Sequence, residues 1–255
     1  MHDIPMETMS DEFMECWNFA GQHLEQQRGR KSIEEWAWLR AHPYPPILEH
    51  FSFRLWNQLF FIRVVDVDEA VHGPGNVNGL LSVAEGNLGQ ACLLPMKKKF
   101  LGGGWEPFYG DWGLIDASTN RQIDPVALIT EELIEMTEWE CLDFGVQLVR
   151  DSLQKQGYQL MSWQSNPEVS PSIWFIGESK KPEWVVVRVV KYPKNEATRP
   201  ENWDAIEDQC APLSKIGHFA SVALVSTKQP FQSSIEEPVP LWRGHPNYAR
   251  YTGLE

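Results

Sequence analysis

The side chains able to do chemistry are scattered along this chain of 255 residues. Cys16, Cys92, Cys141 and Cys210 form no C-x-x-C pair and have no histidine at ligand spacing, so neither a zinc site nor a disulfide framework is expected. They read as small buried hydrophobes. Of the seven histidines, His42 and His245 each precede a proline, His50, His72 and His218 are isolated, and His2 and His23 lie near the N-terminus. No G-x-S-x-G elbow, no H-E-x-x-H and no identifiable serine or cysteine partner accompanies them. The glycine clusters HGPGNVNG (72–79) and LGGGWEPFYG (101–110) fit neither a phosphate loop nor a dinucleotide fingerprint, and read as ordinary loops. No cofactor and no resident metal is expected. What remains is a group of carboxylates, Glu138, Glu140 and Asp143, an acid-x-lysine triplet Glu178-Ser179-Lys180, and one cation, Arg188, inside an apolar run.

The elements that must position these groups fall into two sets. In the first, Ser10 caps a helix over about 11–27 with Phe13, Trp17, Ala20 and Leu24 on one face, ended near Gly29. Ser32 and Glu35 form a capping box that predicts a short second helix holding Trp36 and Leu39, stopped by the proline cluster His42 to Pro46. Strands are expected in QLFFIRVVDVD (58–68), LLSVAEG (80–86) and GQACLLPM (89–96), with a hairpin in WGLIDASTNRQI turned at Ser118 to Asn120. The expectation is an N-terminal α+β domain, residues 1–128, of two helices followed by an antiparallel sheet.

The second set is more regular. Thr137 and Glu140 make a capping box for a helix whose apolar face is Leu142, Val146, Val149 and Leu153, and which stops at Gly157. YQLMSWQ, PSIWFI and EWVVVRVVKY read as strands, the last buried on both faces. GESKKP, which holds the acid-x-lysine triplet, reads as the exposed turn between the second and third. A helix opened by Pro200 and Glu201, with Trp203, Ile206, Cys210, Leu213 and Ile216 on one face, leads to a last strand, HFASVALVS. The expected order is α-β-β-β-α-β around a mixed sheet over 129–228, with a right-handed crossover before the last strand, followed by a Pro-rich tail over 229–255.

That order, with Pro171 opening the second strand, resembles the core of the restriction-endonuclease-like superfamily, whose motif is PD-(D/E)-x-K. The resemblance covers about a third of the chain. It implies an aspartate on strand two, an acid-x-lysine on strand three, a divalent metal held by the two carboxylates and a lysine that orients water. This chain departs from the motif: Ser172 stands at the aspartate position, Val186 at the acid and Arg188 at the lysine. A hydroxyl and an isopropyl group cannot hold a hard cation. An active relative would need a rebuilt ligand set, for which Glu140, Asp143 and Glu178, with Glu168, are the available acids. Arg188 is expected to emerge at the strand end or to pair with an acid of the helix over 137–156.

Composition narrows the function. The formal charge is −13 and the only basic run is Lys97-Lys98-Lys99, so nucleic acid is a poor partner and a basic protein a better one. Twelve tryptophans fit both a large core and a binding surface. No apolar run would span a bilayer and the acidic N-terminus carries no signal core, so a cytoplasmic protein is expected. The expectation is a non-catalytic protein-binding module similar to bacterial immunity proteins, which bind and silence an antibacterial toxin. The alternatives are a divergent metal-dependent nuclease and a scaffold component of a larger assembly.

Overall fold

The computed structural model describes residues 9–31, 35–39, 49–100, 103–227 and 238–255. The chain is of the mixed α and β class, with four α-helices among the described residues, and divides into two compact units, Met1–Glu132 and Leu133–Glu255. His2, Ser32 and the cluster His42 to Pro46 lie outside the described residues.

In the first unit α1 (Asp11–Arg30) starts at Ser10, whose side chain accepts from the Phe13 N–H, and runs through Gly29 to the last turn. Its buried stripe, Phe13, Trp17, Ala20 and Leu24, lies in the apolar cluster with Phe51, Phe53, Ile62 and Leu94 of the sheet. The strands are β1 (Trp36–Trp38), β2 (Phe51–Leu55), β3 (Gln58–Asp66), β4 (Gln90–Lys98), β5 (Trp105–Pro107) and β6 (Ile115–Asp116). Their order is β1-β2-β3-β4-β5, with β6 also on β4.

Two segments differ from their sequence-based expectation. Trp36 to Trp38 form a strand, not a helix: they pair antiparallel with Leu55 to Phe53, and Trp36 stacks on Phe53 with ring centroids 3.7 Å apart. The period-2 spacing of the two tryptophans, satisfied by a partner strand, outweighs the capping-box signal. Conversely, LLSVAEG lies in a helix, α2 (Val77–Gly86), capped by Asn76 and burying Leu80 and Ala84 one turn apart. That helix makes the sheet mixed: β3 and β4 run parallel, and a parallel pair needs a crossover between its strands.

The second unit follows the expected order. It comprises α3 (Glu138–Lys155), β7 (Gln159–Trp163), β8 (Ile173–Ile176), β9 (Pro182–Lys191), α4 (Trp203–Cys210), β10 (Gly217–Ser226) and β11 (Asn247–Tyr251). The sheet order is β11-β10-β9-β8-β7, with β9 and β10 parallel and the other pairs antiparallel. Successive residues of β9 face opposite ways. Val185, Val187 and Val189 join the cluster with Leu142, Val146 and Val149 of α3, whereas Trp184 and Val186 pack with Ile206 and Cys210 of α4. This two-sided burial explains the unbroken valines. Gly145 lets α3 approach closely, since a Cβ there would come within 2.4 Å of Val189 Cγ2.

Helix α4 is shorter than expected. Pro212 has no N–H to donate, so the chain leaves the helix after Cys210, and Leu213 and Ile216 stand exposed. The segment read as a Pro-rich tail supplies β11, paired with β10 from Val222↔Tyr251 to Ser226↔Asn247. Its Leu241 is buried in the α3 cluster.

Candidate functional site

Ser172, Val186 and Arg188 lie on or beside β8 and β9, and the structure gives each a place in the fold. Ser172 is buried. Its N–H donates to the Val185 carbonyl at 2.8 Å and its hydroxyl accepts from the Val187 N–H at 3.1 Å, so it closes the ladder where β8 begins. Val186 is fully buried beneath α4. Arg188 shares a side with Val186 by strand alternation, and of the two expected outcomes the pairing with an acid of α3 is not seen among the described residues. Among the described residues its guanidinium donates to the Val187 carbonyl at 3.2 Å, and burial lowers its pKa from the ordinary value.

The carboxylates of α3 are committed elsewhere. Glu140 closes the expected capping box, accepting from the Thr137 N–H at 2.9 Å. It also meets Arg243, whose Nε lies 3.1 and 2.9 Å from the two carboxylate oxygens and whose Nη2 lies 2.8 Å from Oε2. Both side chains of this pair are buried, at 0% and 2% exposure. Asp143 is buried as well, accepting from the Ser165 hydroxyl at 2.8 Å and the Gln147 amide at 2.5 Å. Glu140 thus anchors the segment leading to β11, and Asp143 anchors the loop between β7 and β8. Glu138 stays exposed.

Glu178 sits in the polar link between β8 and β9, where it accepts from the Tyr158 hydroxyl at 3.2 Å. That link enters β9 at its first residue, whereas α3 begins beside its last, as Lys191 Nζ to Glu135 Oε1 at 2.6 Å shows. With a rise of about 3.3 Å per residue, Glu178 is roughly 20 Å or more from the start of α3. Glu140, Asp143 and Glu178 are therefore not brought together. Among the described residues no three His, Cys, Asp or Glu side chains gather as a ligand set. All four cysteines are free and buried; burial pushes Cys141 and Cys210 up to about 11 and Cys16 up to about 12. Such thiols are poor nucleophiles near neutrality.

Two groupings escape the sequence reading. Arg243, more than a hundred positions beyond Glu140, carries no local sign that it will be buried. The other lies at the start of β9, where Glu183 accepts from the Ser179 hydroxyl at 2.7 Å and meets His218 Nε2 at 2.9 Å. Burial pushes the Glu183 carboxyl up, but the bonds from Ser179 and His218 outweigh it and leave the pKa below its ordinary value. Nothing in the sequence pairs residues 183 and 218 until β9 and β10 are known to lie side by side.

Residues 139–255 match the family model of a domain of unknown function, DUF8840. That span takes α3 through β11 together, the same elements that form the second unit. No curated protein matches the chain, and no solved structure does. Among the described residues no helix is long and apolar enough to cross a membrane.

Proposed function

We propose that this protein is a non-catalytic protein-binding module that neutralises a basic antibacterial toxin by direct binding, as an immunity protein does. The observation that carries the reading is the use of the α3 carboxylates. Glu140 is bound to Arg243 and Asp143 to Ser165 and Gln147, so both serve the fold. At the motif positions, Ser172 completes a ladder and Val186 fills the seat of α4. The fold is thereby kept for its shape, and what it offers a partner is its surface. With a formal charge of −13, that surface attracts a basic protein and speeds encounter with it.

The test is copurification from the native host, followed by association kinetics with the captured protein. A single small basic toxin is expected, with an association rate that falls steeply as salt rises. Capture of a multi-subunit apparatus would favour the scaffold reading instead. A purified protein that cleaves plasmid DNA or RNA with magnesium, and loses this on changing Glu140, Asp143 or Glu178, would replace the proposal with the nuclease reading.

A further inference from the structure

Among the described residues the middle strand of the second unit is paired over only half its length on one side. In a parallel pair, alternate residues of a strand direct both backbone groups to the neighbour. The Trp184 N–H bonds the Ile216 carbonyl and the Tyr192 N–H bonds the Leu224 carbonyl, so the even residues of β9 serve β10. The odd residues point toward β8. There Val185 meets Ile173 and Ser172, and the Val187 N–H is met by the Ser172 hydroxyl. Beyond Ser172 the chain has turned into the loop from β7, held back by the Gln164 N–H on the Ser172 carbonyl at 2.8 Å. The β8 pairing ends at Val185, and among the described residues no loop group bonds the N–H or C=O of Val189 or the N–H of Lys191.

This uncovered stretch opens onto a cavity of about 520 Å³ between the first turns of α3, Pro167 of the loop and Pro238. Three cations line it, Arg188, Lys191 and Lys194, against one carboxylate, Glu138. Lys191 is already held by Glu135. Among the described residues Arg188 and Lys194 have no acidic partner. In a chain of charge −13, a recess with two cations that meet no acid among the described residues stands out.

We infer that the β9 edge at Val189 to Lys191 is a docking site for an extended acidic peptide segment of a partner protein, which adds as a short strand and sets carboxylates against Arg188 and Lys194. Three things select this occupant. Half-buried strand N–H and C=O groups are costly to leave unmade, and an extended backbone satisfies them at strand spacing. The length fits a short segment, because Val189 to Lys191 spans about 7 Å, enough for roughly three residues. The charge fits, because acidic side chains complement the two cations. The inference goes beyond the toxin reading and does not depend on it: this edge is a local feature of the second unit, whatever the acidic surface elsewhere binds.

The experiment uses the full chain and a fluorescently labelled six-residue peptide alternating glutamate and valine. Anisotropy titration gives affinity, and residue-resolved amide exchange gives the place. The expected results are binding at least about tenfold tighter than for the same peptide with lysine in place of glutamate, and loss of binding when alternate peptide amides are N-methylated. Exchange at Val189 and Lys191 is expected to be fast in the free protein and to slow about tenfold or more in the complex. Arg188→Gln and Lys194→Gln should each weaken the glutamate peptide several-fold while leaving the free protein's exchange pattern unchanged. Equal binding of the lysine peptide or of the N-methylated peptide would overturn the proposal. So would a Val189 amide already as protected in the free protein as that of Val190, because the edge would then be paired.

Discussion

Replacing Arg243 with methionine is the sharpest perturbation of the second unit. Methionine keeps much of the buried stem but removes the Nε and Nη2 donors, which hold Glu140 through three contacts of 2.8–3.1 Å. The carboxylate left behind is only 2% exposed and keeps the Thr137 N–H as its strong donor. Removing one member of a buried ion pair typically costs about 3–5 kcal/mol, because the other charge stays desolvated without its partner. Both side chains being buried, little of that is screened by solvent. The double change Arg243→Met with Glu140→Leu removes both charges and should recover most of the loss, short of about 1 kcal/mol for the broken capping box. Urea denaturation read through amide exchange in β9 and β10 reports the second unit by itself. A loss under about 1 kcal/mol for Arg243→Met, or no recovery in the double variant, would refute the assignment of Glu140 to the fold.

Three further changes test the packing. Val186→Glu places a carboxylate under Ile206 and Cys210 and should destabilise the second unit by several kcal/mol, whereas an open metal-binding face would accept it; the same urea assay decides. Gly145→Ala forces a methyl to within 2.4 Å of Val189 Cγ2, so a loss of about 1–3 kcal/mol is expected, and thermal unfolding unchanged from the parent would contradict the close helix–sheet approach. The lowered pKa of Glu183 means that its stabilisation is complete above the ordinary carboxyl pKa of 4.5 and is lost as pH falls through the lower folded value. Glu183→Gln should therefore flatten the fall of stability below about pH 5 in acid titrations, and an unchanged pH slope would count against the bonds from Ser179 and His218.

What could be read from the sequence follows the range of the interactions. Thr137 and Glu140 are three residues apart and Leu142, Val146, Val149 and Leu153 share one helical face, so α3 was legible from local spacing. The valines of β9 announced burial on two faces, but not which helix each face meets. Alternation along β9 sets Arg188 on the side of Val186, yet it also lines the cavity that holds Glu138 of α3, and among the described residues the two make no ion pair. Trp36 to Trp38 were misread because their pairing partners, Phe53 to Leu55, lie beyond a proline cluster, and a local cap was the stronger nearby signal. LLSVAEG was misread because a short apolar run has no period that separates strand from helix. The roles of Glu140 and Asp143 were legible only in part: the capping box is local, but Arg243 and Ser165 reach them from distant parts of the chain.

The proposed function, binding and not chemistry, has a direct test. The most direct measurement titrates the activity of the copurified toxin with the purified protein. Toxin activity is expected to be abolished at about one equivalent, with no nucleic-acid cleavage by the protein alone in magnesium. Full toxin activity in the presence of excess protein, or magnesium-dependent cleavage by the protein itself, would contradict it.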